Sequence, residues 1–323
     1  MIAPEQVVQV AQVVDRSKTL ALACHVGPDG DALGSMLGFA LAARDAGKEV
    51  VASFGSPFAI PSGLEFLPVE TLVPPGAFPS APETMVVFDV GSAERIGELA
   101  ANAAKARTVV VIDHHVTNEG FGDVSLIDHE AAATGELVYE LLGALGWPLT
   151  PQIALCLHTA LVTDTGRFQY SNTRPRTLEI GANLIAAGAE PAVIGRHVYE
   201  EAPFGYLKAS AIALGRAELD HELGVVSTII TQEDLDAVGL SWGDTDNLID
   251  LLRLPVEADT AVLVKRHDDG KVKVSLRSRG ATDVGSLAAS MGGGGHRLAA
   301  GFTFEGQPED VRRKVLASVE AYR

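Results

Sequence analysis

The chain has 323 residues, 47% of them hydrophobic and 21% charged, a composition that excludes a disordered or fibrous chain and leaves room for two globular domains of about 100–200 residues each. Its 25 Lys and Arg against 42 Asp and Glu leave a net charge of −17, so a long nucleic acid meets a repulsive mean field and a short anionic substrate does not. No basic start precedes an apolar segment, no stretch reaches about 18 uninterrupted apolar residues, and Cys24 and Cys156 have no paired spacing. A soluble cytoplasmic protein with small buried thiols is expected.

From Thr19 onward, short apolar runs (TLALAC, EVVASF, TMVVFDV, RTVVVID) alternate with helical-period segments such as Asp31 to Ala46, which Gly47 closes. Nearly continuous apolar strands in this order predict a doubly wound α/β domain with a mainly parallel sheet covered on both faces. Further helices are expected over Pro151–Val162 and Arg176–Ala187. Gly-Ala-Glu-Pro at 188–191 then breaks the pattern. The remainder reads as strand, helix, strand, an Asp269-Gly270 turn, strand (KVKVSLRS), helix, glycine loop, strand and closing helix, a smaller α+β domain. The expected boundaries are 1–190 for the first domain, 191–205 for a connecting stretch and 206–323 for the second.

In the first domain, acids and imidazoles recur where elements end: His25, Asp29 and Asp31 after TLALAC, Asp89 after TMVVF, Asp113, His114 and His115 around the end of TVVVI, and Asp164 at a helix end. Any one of these aspartates alone could be a helix cap. Four such segments in one parallel sheet converge at its carboxyl edge, where open α/β sheets bind ligands. Five carboxylates and three imidazoles gathered there repel one another and resist desolvation unless cations neutralise them. Mixed His and Asp ligation without cysteine favours Mn²⁺, Mg²⁺ or a similar ion over structural zinc. A pair of such ions is suited to hydrolysis at phosphorus.

In the second domain, Lys271, Lys273, Arg277 and Arg279 alternate with apolar residues, so a strand here would bury one face and present cations on the other. The run Gly292–Gly295 before His296 could expose amides to an anion. Ser35 reads as a residue outside the site, Thr134-Gly135-Glu136 as a helix cap, and His129 and His158 as satisfied structural histidines. Phe168 and Tyr170 are open between base stacking and core packing, and Asp244, Asp246 and Asp250 read as solvated surface.

The segments His25-Val-Gly-Pro-Asp29-Gly-Asp31, Phe88-Asp89, Asp113-His114-His115 and Thr163-Asp164-Thr-Gly166 resemble the four motifs of the DHH phosphoesterase superfamily. Gly292 to Gly295 followed by His296-Arg297-Leu-Ala-Ala-Gly301 is similar to the glycine–histidine motif of the DHHA1 domain that accompanies it. Length and domain order resemble the nanoRNase/oligoribonuclease A type, which includes bifunctional pAp phosphatases and cyclic-di-AMP phosphodiesterases. The resemblance implies His25, Asp29 and Asp89 on one ion, and Asp31, Asp89, His114 and Asp164 on a second, with Asp89 bridging. It further implies His115 at the substrate phosphate or leaving oxygen, with Asp113 behind it orienting an imidazole. Arg277, Arg279, Gly293, Gly294, Gly295 and His296 would bind substrate.

The implied enzyme is a two-metal phosphohydrolase, with manganese first and magnesium or cobalt as alternatives. It would cut short oligoribonucleotides and linear dinucleotides such as pApA to 5′-mononucleotides, dephosphorylate 3′-phosphoadenosine 5′-phosphate (pAp), and extend to cyclic-di-AMP. Neither long nucleic acid nor a membrane is an expected partner, and a homodimer is compatible with the resemblance. A family II inorganic pyrophosphatase and a catalytically silent nucleotide-binding regulator are the rival readings; a RecJ-type exonuclease would need an extended positive track.

Overall fold

Residues 4–118, 120–245, 247–267 and 270–323 are described by the structure, a computed structural model. The chain divides into two compact units, Met1–Glu201 and Ala202–Arg323.

The first unit holds strands β1 (Thr19–Cys24), β2 (Glu49–Phe54), β3 (Thr84–Phe88), β4 (Thr108–Asp113) and β5 (Val124–Ile127). They form one parallel sheet in the order β2-β1-β3-β4-β5. Its helices are α1 (Pro4–Arg16), α2 (Gly30–Asp45), α3 (Ala100–Ala103), α4 (Thr134–Leu145), α5 (Pro151–Asp164), α6 (Pro175–Ala186) and α7 (Pro191–Gly195).

The sheet's two faces are covered differently. Leu20, Leu22 and Cys24 point into a core shared with α1, α2, α4, α5 and α6. Ala21, Ala23, Met85 and Val87 point the other way, onto a smaller cluster closed by Ile96 and Leu99 of a 3₁₀ segment and Ala103 of α3. Both faces are buried, as the continuous apolar strands require, yet only one carries long helices. β5 was not foreseen: it is a four-residue edge strand with one buried residue, Leu126, too little apolar sequence to register as a strand.

Helices α2 and α5 pack backbone to backbone. A Cβ on Gly34 would lie 2.4 Å from the Cys156 carbonyl oxygen, and one on Gly30 2.4 Å from the Thr163 methyl. Glycine at these two positions lets the first turn of α2 meet the last turn of α5, which brings together the elements that carry Asp31 and Asp164. The stretch expected to be a connection is largely helical: α7 runs into a π turn over Arg196–Glu200, and the next helix begins at Phe204.

The second unit is a six-stranded mixed sheet, β10-β11-β9-β8-β7-β6, built from β6 (Glu218–Asp220), β7 (Val225–Thr231), β8 (Thr260–Arg266), β9 (Lys271–Ser278), β10 (Gly294–His296) and β11 (Ala299–Glu305). Its helices are α8 (Phe204–Gly215), α9 (Gln232–Asp236), α10 (Leu248–Leu252), α11 (Val284–Ser290) and α12 (Pro308–Val319). Val262, Val264, Val272, Val274 and Leu276 pack against α11 and α12; Val226, Ile230, Ala261 and Leu263 pack against α8, α9 and α10. Along β9, burial alternates as predicted, with Val272, Val274 and Leu276 inside and Lys271 and Lys273 outside. The expected turn at Asp269-Gly270 involves Asp269, which lies outside the described residues. Among the described residues, no helix is long and apolar enough to cross a membrane.

Candidate functional site

The order β2-β1-β3 makes the β1/β3 boundary a topological switch point, because the chain leaves these two neighbours towards opposite edges of the sheet. His25 follows β1 and Asp89 follows β3; Asp113 ends β4, with His114 and His115 next. Asp31 sits in the first turn of α2 and Asp164 ends α5.

Donor atoms of His25, Asp29 and Asp89 lie within 4.8 Å of one another, and so do those of Asp31, His114 and Asp164. His25 Nε2 is 3.8 Å from Asp29 Oδ1 and 3.6 Å from Asp89 Oδ2. His114 Nε2 is 3.7 Å from Asp31 Oδ2, 3.6 Å from Asp89 Oδ1 and 3.6 Å from Asp164 Oδ2. These gaps are too long for hydrogen bonds. They suit donors that each stand about 2.0–2.2 Å from a shared ion. Asp89 faces both imidazoles, one with each oxygen. Asp29 also caps α2, its Oδ1 accepting from the amides of Asp31 (3.1 Å) and Ala32 (3.0 Å), so for this residue capping and ligation coexist.

The groups behind the donors fix their orientation. His25 Nδ1 is 3.1 Å from the Val26 carbonyl and His114 Nδ1 3.1 Å from that of Ala131, which puts the proton on Nδ1 and presents a basic Nε2 to the carboxylates. Asp113, fully buried, accepts from His115 Nδ1 at 2.7 Å and from Asn118 Nδ2 at 2.7 Å. Asp31 receives three donors: Ser35 Oγ (2.9 Å) and the Gly135 amide (3.0 Å) on Oδ1, and the Thr134 amide (2.7 Å) on Oδ2. Thr134 Oγ1 donates to Asp89 Oδ1 at 3.0 Å.

Two sequence expectations change here. Ser35 belongs to the site, and its spacing of four from Asp31 on one helix was a usable signal. Thr134 is not a helix cap: Ala133 holds the cap position of α4 without a side-chain bond. Asn118 also went unrecognised.

The electrostatics are those of a site built for cations. Burial opposes charge on Asp89, but the surrounding imidazoles of His25, His115 and His114 hold its carboxyl far below the ordinary range. Burial and then the neighbouring Asp89 push Asp31 well up, and burial, helped by Asp89 and Asp29, pushes Asp164 to about 7. Burial would lower the two imidazoles, yet Asp29 and Asp89 raise His25 to about 10, and Asp164, Asp31 and Asp89 raise His114 to about 10. Without a metal, protons are thus held at Asp31, Asp164 and the imidazoles of His25 and His114, while Asp89 stays ionised. The residues fit divalent ions: hard oxygen donors, oriented imidazoles and no thiolate among them.

In the second unit, β9 pairs Arg277 with Ala299, and β10 pairs His296 with the same Ala299. Arg277 and His296 therefore occupy one cross-strand row. Arg277 Nη1 donates to the Leu276 carbonyl (3.1 Å), and its Nε lies 3.6 Å from Asp250, so Asp250 is a partner of an arginine, not plain solvated surface. Asp244 caps a turn at Ser241, and Asp246 lies outside the described residues. Arg279, just beyond the end of β9, donates from Nη2 to the Leu254 carbonyl at 3.4 Å.

The first two glycines of the run close a helix. The amides of Gly292 and Gly293 donate to the carbonyls of Ala289 (3.0 Å) and Ala288 (2.9 Å) at the end of α11, which leaves neither amide for a substrate anion. Gly294 and Gly295 lie in strand β10. A Cβ on Gly293 would come within 2.2 Å of the Gly301 carbonyl oxygen, so the glycine serves close strand approach.

Phe168 packs into the first unit's core, edge-on to His158 at 6.1 Å, which removes it from base stacking; Tyr170 lies against Gly166. His129 is exposed. His158 is 2% exposed, with neither ring nitrogen hydrogen-bonded among the described residues, so it is buried but not satisfied.

This arrangement is that of a metal-dependent phosphoesterase. The DHH family N-terminal domain matches residues 19–161, and the DHHA1 domain matches residues 225–322. The chain is 34% identical over 306 residues to the bifunctional oligoribonuclease and PAP phosphatase NrnA of Thermus thermophilus, covering 92% of this chain and 88% of that one. It is 27% identical over 208 residues to the cyclic-di-AMP phosphodiesterase GdpP of Geobacillus thermodenitrificans, covering 59% of this chain and 29% of that one. In fold it resembles an exopolyphosphatase-related protein from Bacteroides fragilis, with a TM-score of 0.90, 24% identity and coverage of 99% and 98%. The chain belongs to the DHH family and carries a DHHA1 domain.

Proposed function

We propose that the protein is a two-metal phosphohydrolase that degrades short oligoribonucleotides and linear dinucleotides such as pApA to nucleoside 5′-monophosphates and dephosphorylates pAp to AMP. Cyclic-di-AMP is a further substrate on this reading. The observation that carries it is Asp89, a buried carboxylate placed 3.6 Å from His25 on one side and 3.6 Å from His114 on the other. The activities for which its relatives are named point the same way.

All three reactions break the bond between phosphorus and a ribose 3′ oxygen and add the elements of water, so one site can serve them. Two divalent ions, manganese first and magnesium or cobalt as substitutes, would activate water and neutralise charge on the phosphoryl oxygens. His25, Asp29 and Asp89 would hold one, and Asp31, Asp89, His114 and Asp164 the other. Asp113 holds the His115 proton on Nδ1, so Nε2 is the nitrogen that meets the substrate phosphate or delivers a proton to the departing 3′ oxygen. Arg277 and His296 grip a phosphate by charge-assisted hydrogen bonds.

A net charge of −17 argues for short substrates over long nucleic acid, and two free buried cysteines fit a reducing cytoplasm. The test offers manganese-loaded protein pAp, pApA, a five-nucleotide RNA, cyclic-di-AMP and pyrophosphate in parallel and identifies the products. AMP released from pAp or pApA, with pyrophosphate untouched, is the expected result. Turnover of pyrophosphate alone would place the protein with the pyrophosphatases, and tight nucleotide binding without turnover would make it a regulator.

A further inference from the structure

We infer that Thr134 is a positioning residue that locks the two carboxylates, Asp31 and Asp89, into one rigid unit and thereby sets the affinity of the second metal position. This rests on the two-metal reading above.

The two acids come from separate segments, Asp31 from the first turn of α2 and Asp89 from the end of β3, and both are buried, at 1% and 3% exposure. Thr134 touches both. Its amide donates to Asp31 Oδ2 at 2.7 Å and its hydroxyl to Asp89 Oδ1 at 3.0 Å, in each case the oxygen that faces His114. The residue has no exposed surface. Because α4 lacks a side-chain cap of its own, its first amides are satisfied by Asp31, so the helix and the carboxylate orient each other.

Asp89 needs holding. It is a non-glycine residue with φ of 57°, a left-handed conformation that other contacts must sustain. Its amide bonds the Ile112 carbonyl at 3.0 Å, which fixes the backbone, and the Thr134 hydroxyl fixes one carboxylate oxygen. Removing that hydroxyl leaves Asp31 held by three donors and frees Asp89 to rotate, so the loss should fall mainly on the ion that needs both acids. Groups that orient metal ligands in this way are worth about 10–100-fold in metal affinity.

The experiment titrates Mn²⁺ into metal-free wild type, Thr134→Val and Thr134→Ser by calorimetry, with thermal unfolding to confirm the fold. Wild type should take up two ions. Thr134→Val should bind one of them about 10–100-fold more weakly, and Thr134→Ser, which restores the hydroxyl, should bind both like wild type. Thr134→Ala removes the same hydroxyl without setting a methyl against a carboxylate and stands in if the valine protein does not fold.

A folded Thr134→Val protein that binds both ions like wild type overturns the inference and leaves the metal centre standing. Equal impairment of the serine and valine proteins also overturns it, pointing to packing by the methyl group. A wild type that binds no divalent ion removes both the inference and the two-metal reading.

Discussion

The metal cluster of the first unit and the cationic row of the second are built on opposite plans. Asp31, Asp89 and Asp113 are nearly or fully buried, and each carboxylate accepts from named donors at 2.7–3.0 Å. Arg277 and His296 stand on β9 and β10, on either side of β11, and the Arg277 side chain keeps 26% of its surface exposed. Its partners are a neighbouring carbonyl and a carboxylate oxygen at 3.6 Å, a gap too long for a hydrogen bond, so the guanidinium is held more loosely than the acids of the first region. The comparison teaches that the first region has its geometry fixed before ligand arrives, whereas the second can exchange partners. Substitutions in the first should abolish chemistry; those in the second should weaken binding.

The sharpest break of the first region is Asp89→Asn, which keeps the shape and removes the charge facing both imidazoles. Turnover should fall on the order of 10³-fold or more, with loss of bound metal by elemental analysis and an unchanged circular dichroism spectrum. A folded variant that keeps its activity would remove the shared carboxylate from the mechanism. Next in size is Asp113→Asn. It leaves the ions in place but weakens the hold on His115 Nδ1, and kcat should drop by about 10–100-fold at unchanged metal content. Loss of metal instead would show that Asp113 acts on the ions themselves.

For the second region, Arg277→Ala should raise KM for pApA roughly tenfold, the effect of losing one charged hydrogen bond, and change kcat little. A fall in kcat at constant KM would place Arg277 among groups that act on the transition state and erase the contrast between the two regions. His296→Ala is the companion test, because it shares the row.

Much of the first unit was legible because its chemistry sits where periodicity changes. Strands β1 to β4 are buried on both faces and so appear as continuous apolar runs, and each site acid or imidazole lies at or just beyond an element's end. What stayed hidden depends on contacts between distant segments: Thr134 meets residues 103 and 45 positions away, and no local pattern encodes that. The glycine run, expected as a loop, departs from its pattern for a different reason. Glycine has low intrinsic strand preference, yet residues 294–296 form a strand, and at Gly295 the backbone of β11 comes so close that a Cβ would lie 2.5 Å from the Ala299 carbonyl oxygen. Only packing reveals that constraint.

The smallest expected effect concerns His158, which lies in α5 in the same core that carries Asp164 yet contributes nothing to the cluster. Burial alone holds its imidazole down at about 4, and neither nitrogen has a partner among the described residues. Between pH 6.5 and 4 the unfolded chain therefore binds a proton at this residue that the folded chain refuses, so stability is lost as pH falls through that window, and above it this proton-linked loss is absent. At neutral pH its cost is the unmade hydrogen bonds of a buried polar ring. His158→Leu should gain about 1 kcal/mol near pH 7, and the difference between variant and wild type should widen as pH drops from 6.5 towards 4. Thermal unfolding of both proteins across that range, at fixed metal, isolates the residue because all other titrations are common to the two. A leucine variant that is less stable and shows no pH-dependent difference would mean that the ring is satisfied in solution and that its packing in α5 supports the fold.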